Sequence, residues 1–347
     1  MATIFDVARL AGVSHQTVSR VVNGLPNVRP ATRQRVEDAI RQLRYRPSET
    51  ARALVTRRSR TLGVITTGSP DYGPSSTLLG LNQAAREARY NVIISSMLEA
   101  DRVSMRTSVD QLLAQSVEAI VLIAAHIEAL EAIQSIDLGV PLVAVDSSSR
   151  AGFHSVAIDQ FEGARLATEH LIALGHRAIV HVAGPTTSMD AAERIRGWRS
   201  ALGSAGLVVR EPLQGDWSPR SGFEAGAAIA AEGWATAVFS ANDQMALGLM
   251  RALALRGLRV PDDLAIVGFD DIPEAAYLTP PLTTVRQDFR ALGADVMARV
   301  LALLGDDTPD GAAHTLPVLV VRESSVPSKS TDADGSPAVV DVPAPAP

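Results

Sequence analysis

Two groups of side chains in the 347-residue sequence have the types and spacing for recognition chemistry. The first is contiguous: His15, Gln16, Thr17, Ser19 and Arg20 supply amide, guanidinium, imidazole and hydroxyl groups of the kind that bond base edges and phosphate oxygens. The second is scattered. Asp146, Asn242 and Asp270 each lie at or just beyond the carboxyl end of an apolar run, Arg194 lies near a helix start, and Trp217 follows Gly215-Asp216. Carboxylates, amides and guanidinium groups hold vicinal hydroxyls, and an aromatic ring takes a sugar's apolar face. Each carboxylate could equally cap a helix or form a turn, and Trp217 could be plain core. Covalent chemistry has no candidate: there is no cysteine, P-loop, Rossmann glycine triplet, HExxH or Gly-x-Ser-x-Gly. The seven histidines show no metal spacing, and His170 and His176, six apart, are out of helical phase. No metal, no cofactor and no enzymatic activity are therefore expected.

The contiguous group needs two short helices to present it. Thr3 with Asp6 fits a capping box, and Ile4, Val7, Ala8, Leu10 and Ala11 recur at helical spacing, which predicts a helix over about 4–11. Gly12 breaks it, Ser14 caps a second helix of about 15–23 with Val18, Val21 and Val22 inward, and Asn23-Gly24 stops it. The result is a helix-turn-helix whose second helix offers its polar face to a major groove. Pro30 opens a third helix, expected to be mostly core, with Val36, Ala39, Ile40 and Leu43 as its stripe. Charge agrees: residues 1–60 carry 12 arginines against four acids, +8, while the chain as a whole is −6, leaving −14 on the remainder. A basic module on an acidic body fits docking onto a polyanion.

The scattered group needs a larger frame. Short apolar runs at 62–65, 91–94, 119–123 and 142–145, then at 179–182, 237–239 and 265–268, alternate with helical patterns. That alternation predicts parallel sheets covered on both faces, in two similar lobes of about 61–158 and 159–325, with ligand at the carboxyl ends of the strands.

The run Asp6-Val7-Ala8-Arg9-Leu10-Ala11-Gly12-Val13-Ser14, continued by Thr17-Val18-Ser19-Arg20-Val21-Val22-Asn23-Gly24, resembles the DNA-binding signature of the lactose-repressor family of bacterial transcription regulators. Ala183-Gly184-Pro185, Gly215-Asp216-Trp217-Ser218, Ala241-Asn242-Asp243-Gln244-Met245-Ala246-Leu247-Gly248 and Pro280-Pro281-Leu282-Thr283-Thr284-Val285 extend the resemblance to about residue 325. It implies an all-α helix-turn-helix headpiece (1–46), a hinge (47–60), a two-lobed α/β core of the type I periplasmic-binding-protein kind for effector binding and dimerisation (61–325), and a tail (326–347). By resemblance His15, Gln16 and Arg20 read bases, Leu54 wedges into the minor groove, and Thr3, Thr17, Ser19, Asn23 and Thr32 hold phosphates. Asp146, Arg194, Asn242 and Asp270 become polar effector contacts, with Trp217 and Phe289 as the apolar ones.

Departures matter too. The family's type member has tyrosine at the place of His15, so a related but different operator is expected. Asp71 stands in place of an apolar residue and Asp190 in place of a serine, which favours a hydroxyl-rich or longer saccharide; Tyr72-Gly73-Pro74 is expected to form a ligand-touching loop after the first strand. The Pro- and Ala-rich end, Ser328 to Pro347, lacks leucine, so the leucine-heptad tetramer helix is missing, a disordered tail is expected, and a homodimer is the expectation. No stretch of about 20 apolar residues and no basic, apolar leader occurs, so a cytoplasmic, nucleoid-associated protein is expected. The expected function is a repressor released from a palindromic double-stranded operator by a small sugar. A purine-type corepressor response is its nearest rival, a solute-binding protein a more distant one, and an enzyme using Asp71 with Asp190 the most distant.

Overall fold

A computed structural model describes residues 2–45, 58–67, 71–97, 99–124, 126–147, 153–305 and 313–326. The chain divides into two compact units, one of residues up to Thr61 with 116–118, the other of the remainder.

The first unit is built on α1 (Ile4–Ala11), α2 (His15–Val22) and α3 (Pro30–Gln42). The capping box is present: Thr3 Oγ1 accepts from the Asp6 amide (3.3 Å), while the Thr3 amide (2.9 Å) and hydroxyl (2.8 Å) donate to Asp6 Oδ2 and hold its carboxyl below its ordinary pKa. Gly12 ends α1 at φ 63°, a conformation open to glycine at no steric cost, and Ser14 caps α2 through the Thr17 amide (3.2 Å). The core is small: Val7, Ala8, Ala11, Val18, Val21, Val36 and Ala39. Contrary to expectation α3 is not mostly core. Only Val36 and Ala39 are buried on it, with Ile40 and Leu43 half-buried, because three short helices can enclose only a narrow stripe.

The second unit holds two six-stranded sheets covered by helices. The first comprises β1 (Thr61–Thr66), β2 (Asn91–Ser96), β3 (Ala119–Ile123), β4 (Leu142–Val145), β5 (His154–Ile158) and β11 (Ala313–Thr315), in the order β11-β5-β4-β3-β1-β2. The second comprises β6 (Ile179–Ala183), β7 (Leu213–Gln214), β8 (Ala237–Ser240), β9 (Ala265–Asp270), β10 (Thr283–Arg286) and β12 (Val318–Val320), in the order β12-β10-β9-β8-β6-β7. The lobes thus repeat one topology. The strands the periodicity predicts are all present; β5, β7, β10 and β11, whose apolar residues are interrupted by polar ones, and the three-residue β12 are added.

The lobes are not consecutive in sequence. The chain enters the second lobe after β5, returns after β10, and crosses again through Leu316-Pro317. Accordingly α11 (Phe289–Leu304) packs in the first lobe against α4 (Tyr72–Glu87), glycine to glycine: a Cβ on Gly80 would stand 2.1 Å from the Phe289 carbonyl oxygen, and one on Gly293 2.2 Å from Gly80. The sheets are also not wholly parallel. β12 enters from the first lobe, at the end of the sheet where β10 leaves, and so runs antiparallel to it. The remaining helices are α5 (Arg102–Ala114), α6 (Ile127–Gln134), α7 (Gln160–Ala173), α8 (Met189–Ser204), α9 (Pro219–Glu232) and α10 (Asp243–Ala254).

Candidate nucleic-acid interface and candidate ligand cleft

In the first unit, α2 turns Val18 and Val21 into the core and leaves His15, Gln16 and Arg20 exposed. His15 lies against Phe5, ring centroids 5.2 Å apart, so α1 limits where the imidazole can point. The residues expected to hold phosphates have internal work as well. Thr3 caps α1, Thr17 Oγ1 lies 3.0 Å from Ser14 Oγ, and Ser19 Oγ accepts from Asn23 Nδ2 (3.3 Å), while Thr32 is half-buried in the first turn of α3. Leu54 lies outside the described residues.

In the second unit the strands of both sheets end on one cleft of about 760 Å³, its open mouth included. All nine residues nominated for the effector line it: Asp71, Tyr72, Asp146, Asp190, Arg194, Trp217, Asn242, Asp270 and Phe289. They reach it from the carboxyl ends of strands, the loops beyond them or the first two turns of the helices that follow, the end of an open α/β sheet at which ligands bind. Tyr72-Gly73-Pro74 is not a loop, as expected, but the first turn of α4, where the missing proline N–H has no intrahelical partner to lose. Its Tyr72 ring meets Phe289 edge-on at 5.8 Å, and burial raises the phenol's pKa.

The floor of the cleft is a closed polar ring. Arg194 Nε donates to Gln160 Oε1 (2.9 Å), Gln160 Nε2 to Gln287 Oε1 (2.8 Å) and Gln287 Nε2 to Asp270 Oδ1 (2.7 Å), and Asp270 pairs back to Arg194 at 3.7 Å. Arg194 also donates to the Ala241 carbonyl and lies 3.8 Å above the Phe269 ring and 5.4 Å from that of Trp217. All four members are buried. Burial pushes the Asp270 carboxyl up to about 7 despite the guanidinium beside it, with Asp190 and Asp71 adding to the rise. Burial likewise works against the charge on Arg194. Beneath them Asp243, also raised well above the ordinary carboxylate range by burial, accepts from Thr284 Oγ1 (2.7 Å) and the Ile272 amide (2.9 Å).

Local strain places the remaining side chains. Trp217 (φ 72°) and Asp270 (φ 111°) sit at positive φ, at about 1–3 kcal/mol each. Asn242 offsets the first: it caps α10 through the Met245 amide (2.8 Å) while its Nδ2 donates to the Trp217 carbonyl (3.0 Å). It is therefore a helix cap and a cleft residue at once. Gly184 makes room for the indole, since a Cβ there would fall 2.2 Å from it. Across the mouth Ser147 Oγ, from the first lobe, donates to Asp190 Oδ1 (2.6 Å) on α8 of the second. Gln160, Gln287 and Ser147 escaped the sequence reading. Both glutamines come one or two residues after strands whose polar residues interrupt the apolar run, at two of the three places where the chain changes lobe.

Residues 3–48 match the family model for bacterial regulatory proteins of the lacI family, and 168–325 that of the periplasmic binding protein-like domain. The chain is 36% identical to the lactose operon repressor of Escherichia coli (strain K12), over 98% of this chain and 94% of that one. It is 34% identical to catabolite control protein A of Priestia megaterium, over 91% and 96%. The crystal structure of the lac repressor dimer bound to operator and the anti-inducer ONPF superposes with a TM-score of 0.85 at 36% identity, covering 93% of this chain and 99% of that one. The transcriptional regulator CelR in complex with cellobiose superposes at 0.70 and 31% identity, over 94% and 100%. These relatives regulate transcription and are not enzymes. With its helix-turn-helix unit, its two-lobed type I core and this similarity along nearly its whole length, the chain belongs to the lacI family of bacterial DNA-binding transcriptional repressors.

Proposed function

We propose that the protein is a dimeric repressor that leaves its operator when a small glycoside or oligosaccharide enters the cleft. The observation that carries the sugar reading is the lining itself: four carboxylates, three amides and a guanidinium converge with the Trp217 and Phe289 rings in one cleft. Such a set holds several vicinal hydroxyls while an aromatic face takes the apolar side of the ring. In this reading His15, Gln16 and Arg20 read bases, Arg20 on a guanine and Gln16 on an adenine, and Thr3, Thr17, Ser19, Asn23 and Thr32 set the register on phosphates. Residues 1–46 bind DNA, 47–60 with Leu54 form the hinge, 61–325 bind effector and dimerise, and 326–347 are a tail. Two-fold symmetry of the dimer matches a palindromic operator, and the protein works in the cytoplasm at the nucleoid.

Effector releases DNA only if it binds the lobes of the DNA-free state more tightly than those of the DNA-bound one. The test is fluorescence anisotropy on a palindromic operator taken from DNA beside the gene, at two salt concentrations, with and without sugars and purines. Salt-sensitive binding that survives competitor DNA and is released by a sugar is the expected result. Tightening by a purine would replace the inducer reading with the corepressor one.

A further inference from the structure

A second hollow, of about 460 Å³ with its open side, adjoins the cleft and shares Ser147, Ile158 and Gln160 with it. Helix α8 is the common wall. Its Asp190 and Arg194, one turn apart, face the first cavity, and Glu193 and Arg196, on the next strip of the same helix, face the second. Arg196 Nη1 donates to both Glu193 oxygens (2.7 and 2.6 Å), and its guanidinium carbon stands 5.5 Å from the centroid of the Phe161 ring. Phe161 follows Gln160, the residue that closes the polar ring of the first cavity. The second hollow therefore repeats the chemistry of the first on a smaller scale, with an aromatic ring beside a guanidinium and a carboxylate.

The arrangement is more than an exposed helix ion pair. A pair of this kind on a solvated face contributes little and needs no cavity. Here the pair and the ring border a concavity, and the Ser147–Asp190 hydrogen bond lies at the boundary, where a glycosidic link would pass from one hollow to the other.

We propose that this hollow is a second saccharide subsite, formed by Phe161, Glu193 and Arg196, and that the effector is a disaccharide or longer chain whose second ring it holds. The inference rests on the sugar reading of the main cleft. Calorimetric titration of the full-length protein with matched pairs tests it: glucose against cellobiose, maltose and trehalose, and galactose against lactose and melibiose. At least one disaccharide should bind tenfold or more tightly than its monosaccharide. Arg196→Ala should remove that increment and leave monosaccharide affinity within about twofold, with Glu193→Gln intermediate; Arg196 is exposed and Glu193 half-buried, and an unchanged melting temperature confirms that the fold is kept. A monosaccharide that binds as tightly as its disaccharides and releases the operator would overturn the subsite and leave the sugar reading standing. So would an Arg196→Ala variant that weakens both members of a pair equally or neither. If no sugar in the panel binds, both readings fall.

Discussion

The DNA-reading head and the ligand cleft achieve recognition in opposite ways. In the head, His15, Gln16 and Arg20 lie within six consecutive residues on one helix, and none of them belongs to the core that holds the helix in place. In the cleft, nine nominated residues between Asp71 and Phe289 come from both lobes, and several of them also hold the fold together: Asn242 caps α10, while Asp270 and Arg194 close a buried ring. The difference teaches where recognition and stability separate. The base readers of the head can be changed at a cost to binding alone; Asn242, Asp270 and Arg194 in the cleft cannot be changed without touching the fold.

The strongest attempt to break this contrast is Asp270→Ala. It leaves a buried guanidinium without its carboxylate, a change that costs about 3–5 kcal/mol. The second unit should melt at lower temperature and the effector response should be lost, as calorimetry and operator-release assays would show. An unaltered melting temperature would mean that the ring carries no stability.

Arg20→Ala probes the other side. Losing a bidentate base contact costs about 1–3 kcal/mol of discrimination, so specific operator affinity should fall roughly 5- to 150-fold with melting temperature and sugar affinity unchanged. Specificity retained by the variant would sink the base-reading assignment. Ser14→Ala removes a cap rather than a reader. It should cost the head about 1 kcal/mol, and its effect on operator affinity should be similar for specific and non-specific DNA, as anisotropy on both would reveal.

Titration tests the cleft without removing a contact. With Asp270 held up to about 7 against 3.8 in an exposed carboxyl, the folded protein keeps a proton over roughly pH 4–7 that the unfolded chain has lost. This group's contribution to stability therefore falls as pH rises through that window and is flat above it; Asp243, raised for the same reason, acts with the same sign. Asp270→Asn has no such proton, so its melting temperature should drop less than the native one between about pH 5 and pH 8.

How far each region could be read from sequence follows the same division. Residues Thr3, Gly12 and Ser14 act on amides at most a few positions away, so the bounds of α1 and α2 were legible to within a residue. Fully apolar runs such as Ala119–Ile123 declared themselves as strands, because a strand covered on both faces has no polar alternation. The nominated cleft residues came from family motifs and strand ends together. What could not be read were pairings that local pattern does not encode. His154–Ile158 and Thr283–Arg286 mix polar residues with apolar ones, and their outer neighbours β11 and β12 enter the sheets only after further lobe changes.

By itself, then, the sequence determined the helices of the head, the residues their exposed face carries, the two series of strands and the family. Those properties depend on propensity, capping and periodicity, which act over one or two helical turns. The tertiary structure decided that α11 belongs with the first lobe, that β12 runs antiparallel, that Gln160 and Gln287 tie Arg194 to Asp270, and that a second hollow opens behind α8. Each of these is a contact between residues tens to more than a hundred positions apart, and its energy exists only once packing has brought them together.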